Sequence, residues 1–114
     1  MNTGIERRRH PRIPLNWPVI LMTPQGPIKG ETSNVSVGGL ALILFLETPE
    51  IGDEFQITLK MSANLEMIVT CEKIWSGKIV DDESVCFGIG VRFTKISSSD
   101  REIIASMVKE YYLV

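Results

Sequence analysis

Between Val85 and Phe93 the chain alternates without a break: Val85, Phe87, Ile89, Val91 and Phe93 are large and apolar, and Cys86, Gly88, Gly90 and Arg92 fall between them. Side chains of a strand point by turns to opposite faces, so this pattern predicts a strand with one face in a core and the other open. The open face carries two glycines, which leave a flat track with room for a neighbouring backbone, a helix or a ligand. Such a strand needs partners, because its backbone donors and acceptors must be hydrogen-bonded. The rest of the chain is therefore expected to supply a sheet.

It contains the material for one. Phe55, Ile57, Leu59 and Met61 alternate with polar residues, and Met67, Val69 and Cys71 do the same within a segment running from Leu65 to Ser76. The alternation falters at Lys73-Ile74-Trp75, which predicts a bulge or a change of facing. Earlier, Trp17 to Met22 and Ile28 to Ser33 flank Thr23-Pro24-Gln25-Gly26-Pro27, a hairpin by its turn residues, with Trp17 at the core edge. Leu40 to Leu46 is a nearly unbroken apolar run of strand length, read as covered on both faces; residues 47–53 and Gly77 to Ser84 read as loops. One helix is expected over residues 99–112, opened by a capping box at Ser99-Asp100-Arg101-Glu102 and carrying Ile103, Ile104, Met107, Val108 and Tyr111 along one face. Six short strands and one helix predict an all-β, six-stranded antiparallel barrel with a C-terminal α-helix.

A chain of 114 residues is one domain by size. The expected division is a flexible basic arm, residues 1–12, and a barrel with its helix, residues 13–114. No run approaches the roughly 18 apolar residues of a membrane span, so no membrane insertion and a cytoplasmic location are expected. Cys71 and Cys86 have no C-x-x-C partner and no neighbouring histidine, and they read as reduced, buried or half-buried thiols. The single His10 lies among arginines, and neither a nucleophile–base pair nor metal-ligand spacing occurs, so neither an enzyme nor a metal or cofactor site is expected.

The net charge is only -2, yet Arg7, Arg8, Arg9 and Arg12 lie within six residues. Guanidinium is always charged, matches phosphate with a planar fork of donors and stacks on flat rings, so the cluster suits a purine phosphate. Pro11 and Pro14 bias the arm toward extended backbone, which would set Arg8 and Arg12 roughly 13 Å apart. Further on, Asn34-Val35-Ser36-Val37-Gly38-Gly39 reads as a compact turn. Its Asn and Ser side chains bond readily to nearby backbone, and its glycines permit positive φ or close approach.

Arg8-x-x-x-Arg12 followed by Asn34-x-Ser36-x-x-Gly39 resembles the paired signature of the PilZ domain family, bacterial receptors for cyclic di-GMP. Phe87-Gly88-Ile89-Gly90-Val91-Arg92-Phe93 resembles a late strand of the same family, so the likeness covers nearly the whole chain. Asn34 stands where the family accepts Asp or Asn. The resemblance implies a PilZ-type barrel and a cyclic di-GMP site formed by Arg7, Arg8, Arg12, Asn34, Ser36 and Gly39, joined by Arg9, Gly38 and Trp75. It also implies a change of conformation that signals to a downstream protein whose identity the sequence does not carry. Arg8 and Arg12 would neutralise phosphates and stack on guanine, Asn34 and Ser36 would read a base edge, and Gly39 would clear space; Trp75, where the alternation breaks beside the glycine-rich last strand, reads either as a wall of the site or as plain packing. PilZ domains take up one ligand or an intercalated pair, and Arg7 favours the pair, with the arm ordering as the ligand binds. Two other readings compete with this one: an oligonucleotide-binding barrel, which would spread basic charge and stacking aromatics along an exposed sheet, and a PilZ-like adaptor that binds no nucleotide. The slightly acidic balance argues against a DNA binder.

Overall fold

The computed structural model describes residues 12–44, 51, 53–80 and 85–113. Six strands follow one another as β1 (Pro18–Thr23), β2 (Gly26–Val35), β3 (Gly39–Leu44), β4 (Phe55–Ser62), β5 (Leu65–Val80) and β6 (Val85–Lys95), and the helix α1 spans Ser98–Leu113. They form a closed antiparallel barrel in the order β1-β2-β3-β6-β5-β4, so the all-β reading with a C-terminal helix holds.

Parity explains the closure. Val19 and Leu21 of β1 stand opposite Leu59 and Ile57 of β4, and all four are buried. A slip of one residue would turn each of them to solvent, and a buried aliphatic side chain contributes about 1.5–3 kcal/mol, so the register is firmly set. Leu40, Leu42 and Leu44 fill the interior from β3, Met67, Val69 and Cys71 from β5, and Ile89, Val91 and Phe93 from β6. Ala41 is buried on the opposite side of β3, in keeping with a run covered on both faces. The first hairpin turns at Pro24-Gln25, where Thr23 Oγ1 donates to the Gly26 carbonyl at 2.6 Å. Gly26 has φ 119°, a backbone state open to glycine.

Several expectations need correcting. The segment read as a loop from Gly77 is strand as far as Val80: Gly77 pairs with Gly88, Lys78 with Phe87 and Val80 with Val85. Glycine is disfavoured inside a strand, but here the facing strand supplies the pairing that overrides it. This end of the β5–β6 hairpin runs past the core, and for that reason Val85, expected inside, is exposed. The break in alternation near Lys73-Ile74-Trp75 is a register shift between Lys73 and Trp75. The helix begins at Ser98, one residue earlier than expected. Ser97, not Ser99, caps it, its Oγ accepting from the Asp100 N–H at 3.1 Å. Three adjacent serines make the cap degenerate, and this choice sets Asp100 in the first turn, where the helix dipole favours negative charge. Ile104 and Val108 are the buried residues of the helix, with Ile103 and Met107 packed against the core from its rim. Tyr111, expected in this stripe, is exposed and meets the ring of Tyr112 edge-on at 5.2 Å.

Burial pushes the Cys71 thiol up to about 12. Near pH 8 it therefore stays protonated in the folded protein, and an alkylating reagent is expected to label Cys86 and spare Cys71 until the chain is unfolded. Mass mapping of the labelled peptides checks this. Because the folded thiol keeps its proton where the unfolded thiol loses it, Cys71 should also make stability fall as pH rises from about 9 toward 12.

Candidate functional site

The chain entering β1 is stitched to the end of β2. Ile13 N–H donates to the Val35 carbonyl and Val35 N–H to the Ile13 carbonyl, both at 2.9 Å. Four residues on, Thr32 N–H donates to the Trp17 carbonyl at 2.9 Å, while Thr32 Oγ1 accepts from Trp17 N–H at 2.8 Å and donates to the Leu15 carbonyl. Thr32 has 0% exposure, so Thr32→Val would strand two polar backbone groups of this clamp. A loss of about 2–4 kcal/mol is expected, read as a lowered urea midpoint.

The clamp places Arg12, whose side chain is exposed, directly beside Asn34-Val35-Ser36. The Arg12 carbonyl also accepts a hydrogen bond at 2.9 Å from the hydroxyl of Tyr112, one hundred residues away on α1. Arg7, Arg8 and Arg9 lie outside the described residues.

Asn34 and Val35 belong to β2 rather than to a turn; the turn itself is Ser36 to Gly39. Ser36 N–H donates to the Gly39 carbonyl at 2.8 Å, and the buried Ser36 hydroxyl donates to the same carbonyl and accepts from Gly39 N–H at 3.2 Å. The Gly38 carbonyl accepts from Phe93 N–H at 2.9 Å, which ties the turn to β6. Among the described residues positive φ occurs at Gly26 and not in this turn. Gly39 is needed for another reason: a Cβ there would lie 2.1 Å from the Val91 carbonyl oxygen.

Register assembles the outer face. Asn34 stands opposite Ala41, Ala41 opposite Gly90, and Gly90 opposite Trp75, so a line of residues crosses β2, β3, β6 and β5. At one end, Asn34 Oδ1 is buried and has no hydrogen-bond partner among the described residues. A buried acceptor left so costs about 1–3 kcal/mol, which makes it a receptive spot for an N–H donor. At the other end, the Trp75 indole lies over the glycine track. A Cβ on Gly90 would meet its Nε1 at 2.0 Å, and one on Gly88 would meet its Cη2 at 3.1 Å. The room left by the two glycines is thus taken by this ring, which remains 43% exposed and so presents a flat aromatic surface to solvent.

The next line across the face, one step along, is Gly39, Arg92 and Glu72. Arg92 donates from Nε at 2.9 Å and from Nη2 at 2.5 Å to Glu72 Oε1. Neither residue was singled out as a site candidate. The outward parity of Arg92 was visible in the sequence, but its carboxylate partner, twenty residues away, follows only from the β5–β6 register. Among the described residues there is no cluster of three or more His, Cys, Asp or Glu able to hold a metal ion, and no helix long and apolar enough to cross a membrane.

Fold and face together define a small closed β-barrel whose outer surface carries the exposed Arg12, a polar turn tied to β6 and a partly exposed indole. The PilZ domain model matches residues 6–110, and the chain belongs to the PilZ domain family. Solved structures of the same fold include the PilZ domain of Escherichia coli YcgR with c-di-GMP, with a TM-score of 0.72 and 20% identity over 92% of this chain and 94% of that one. The K. pneumonia MrkH–c-di-GMP complex superposes with a TM-score of 0.77 and 20% identity over 94% of this chain and 53% of MrkH. Bacillus subtilis MotI, an inhibitor of motility, gives 0.74 and 14% identity over 94% of this chain and 51% of its own. The chain therefore spans about half the length of MotI and MrkH. No curated protein sequence matches it.

Proposed function

We propose that this protein is a receptor for cyclic di-GMP, binding it on the outer barrel face and passing the signal to a protein partner through a change of conformation. The observation that carries this reading is the Ile13–Val35 bridge, which brings the chain at Arg12, the last residue of the arginine motif, alongside the end of β2, where Asn34 and Ser36 flank Val35. The solved YcgR and MrkH complexes with c-di-GMP support the same ligand for this member of the family.

Each role follows from chemistry. Arg8 and Arg12, with Arg7 and Arg9 beside them, neutralise phosphate and stack on guanine. Asn34 Oδ1 accepts from a base N–H. Ser36 and Gly38 hold the turn against Gly39 and β6, so they shape the site through its backbone. Trp75 offers its exposed face for stacking. The Tyr112–Arg12 hydrogen bond joins α1 to the base of the arm, and it supplies a route by which a ligand that draws Arg12 inward loosens the helix end. Arg7 brings the charge that a pair of intercalated ligands requires, and two molecules per chain is the stoichiometry we propose.

Calorimetric titration with cyclic di-GMP is expected to give saturable binding that weakens as salt rises, because charge neutralisation carries much of it. The ratio of ligand to protein should approach two, and fall toward one in Arg7→Leu. Absence of heat and saturation at high micromolar ligand would refute the reading, and equal binding of short RNA would favour the oligonucleotide-binding alternative.

A further inference from the structure

We infer that Arg92, steadied by Glu72, is a base-reading residue that makes the site select guanine over adenine. The inference rests on the cyclic di-GMP reading above and assigns a specificity element outside both arginine and asparagine motifs.

Position comes first. Arg92 and Gly90 are two residues apart on β6 and face the same way, so their Cα atoms lie roughly 7 Å apart. Gly90 is the floor under the Trp75 ring, and Gly39, the last residue of the polar turn, stands opposite Arg92. Arg92 thus stands next along the face from the aromatic shelf, with its guanidinium drawn toward Glu72 on β5, the strand that carries Trp75. A base stacked on Trp75 would present an edge toward that guanidinium.

The second point is the geometry of the guanidinium. Glu72 Oε1 takes Nε–H and one hydrogen of Nη2, which occupies one edge of the planar group. The outer fork, formed by Nη1 and the second Nη2 hydrogen, is not used in that pairing. A carboxylate that fixes one edge holds the other at a set angle, so less side-chain freedom is lost when a ligand is gripped. The Arg92 side chain is 58% exposed and that of Glu72 36%, so a ligand can reach the fork without dismantling the barrel.

The third point is complementarity. Guanine offers two acceptors, O6 and N7, to a forked donor, whereas adenine offers N7 beside an amino group that is itself a donor. A fixed guanidinium fork therefore accepts guanine and repels adenine. A two-pronged contact of this type discriminates by roughly five- to 150-fold.

The test compares affinities for cyclic di-GMP and cyclic di-AMP in the intact chain and in Arg92→Lys, Arg92→Met and Glu72→Gln, with thermal melts to confirm folding. The unmodified protein should prefer cyclic di-GMP. Arg92→Lys keeps the charge but not the fork, and should lose at least fivefold of that preference, mainly by weakening cyclic di-GMP; Arg92→Met should lose as much, and Glu72→Gln less. If cyclic di-GMP binds but the ratio is unchanged in the folded Arg92 variants, or if both ligands weaken equally, the inference is overturned and the receptor reading stands. If the unmodified protein binds neither ligand, the receptor reading falls and takes the inference with it.

Discussion

Replacing Arg8 and Arg12 together by alanine is expected to weaken cyclic di-GMP binding by roughly two to four orders of magnitude while leaving the barrel folded. Each guanidinium contributes a charge-assisted hydrogen bond of about 1.5–3 kcal/mol, and the double variant removes both. Arg12→Ala alone should cost about ten- to a hundredfold. The fold should tolerate the change, because the Arg12 side chain is exposed and its structural work is done by its carbonyl, which alanine keeps. The salt dependence should flatten in the double variant, since fewer phosphate charges are neutralised by the protein. Calorimetry at two salt concentrations, with a thermal melt of each variant, reads all of this. A double variant that binds within tenfold of the unmodified protein would remove the arginine pair from the site.

Gly39→Ala is expected to destabilise the barrel markedly although it adds a single carbon atom. The added Cβ would sit 2.1 Å from the Val91 carbonyl oxygen and 3.1 Å from the Arg92 Cα. Both are backbone atoms of β6, so β3 and β6 must move apart in the middle of a barrel. Overpacking of this kind costs about 1–3 kcal/mol or more, which corresponds to a fall in Tm of roughly 5–20 °C. Gly77→Ala is the control, because nothing lies within 4 Å of its added methyl group. Its Tm should stay near that of the parent. If Gly39 were a glycine only to make room for ligand, Gly39→Ala would instead melt normally and lose binding.

The candidate site residues were legible in the sequence to different degrees. The arginine cluster was legible because charge concentration is a property of the local sequence. Gly39 was legible as a position of close approach, and what approaches it is the backbone of β6, a strand far along the chain that only the fold brings there. Ser36 was expected to face a ligand, and its hydroxyl is turned into the loop that it closes. Trp75 was placed beside the glycine-rich strand on the strength of a broken alternation, and the register shift between Lys73 and Trp75 sets its ring on Gly88 and Gly90.

By itself the sequence determined most of each strand, the facing of most core residues, one of the irregularities in β5, the helix and the arginine motif. All of these are written within windows of a few residues, as period, turn chemistry and charge. Only the tertiary structure decided that Thr32 clamps the entering chain, that Tyr112 holds the Arg12 carbonyl and that Glu72 pins Arg92. Those contacts join residues 15, 100 and 20 positions apart, and they exist because strand register and barrel closure bring distant backbone side by side. Periodicity cannot report a register between strands, since any shift by two residues preserves the same alternation.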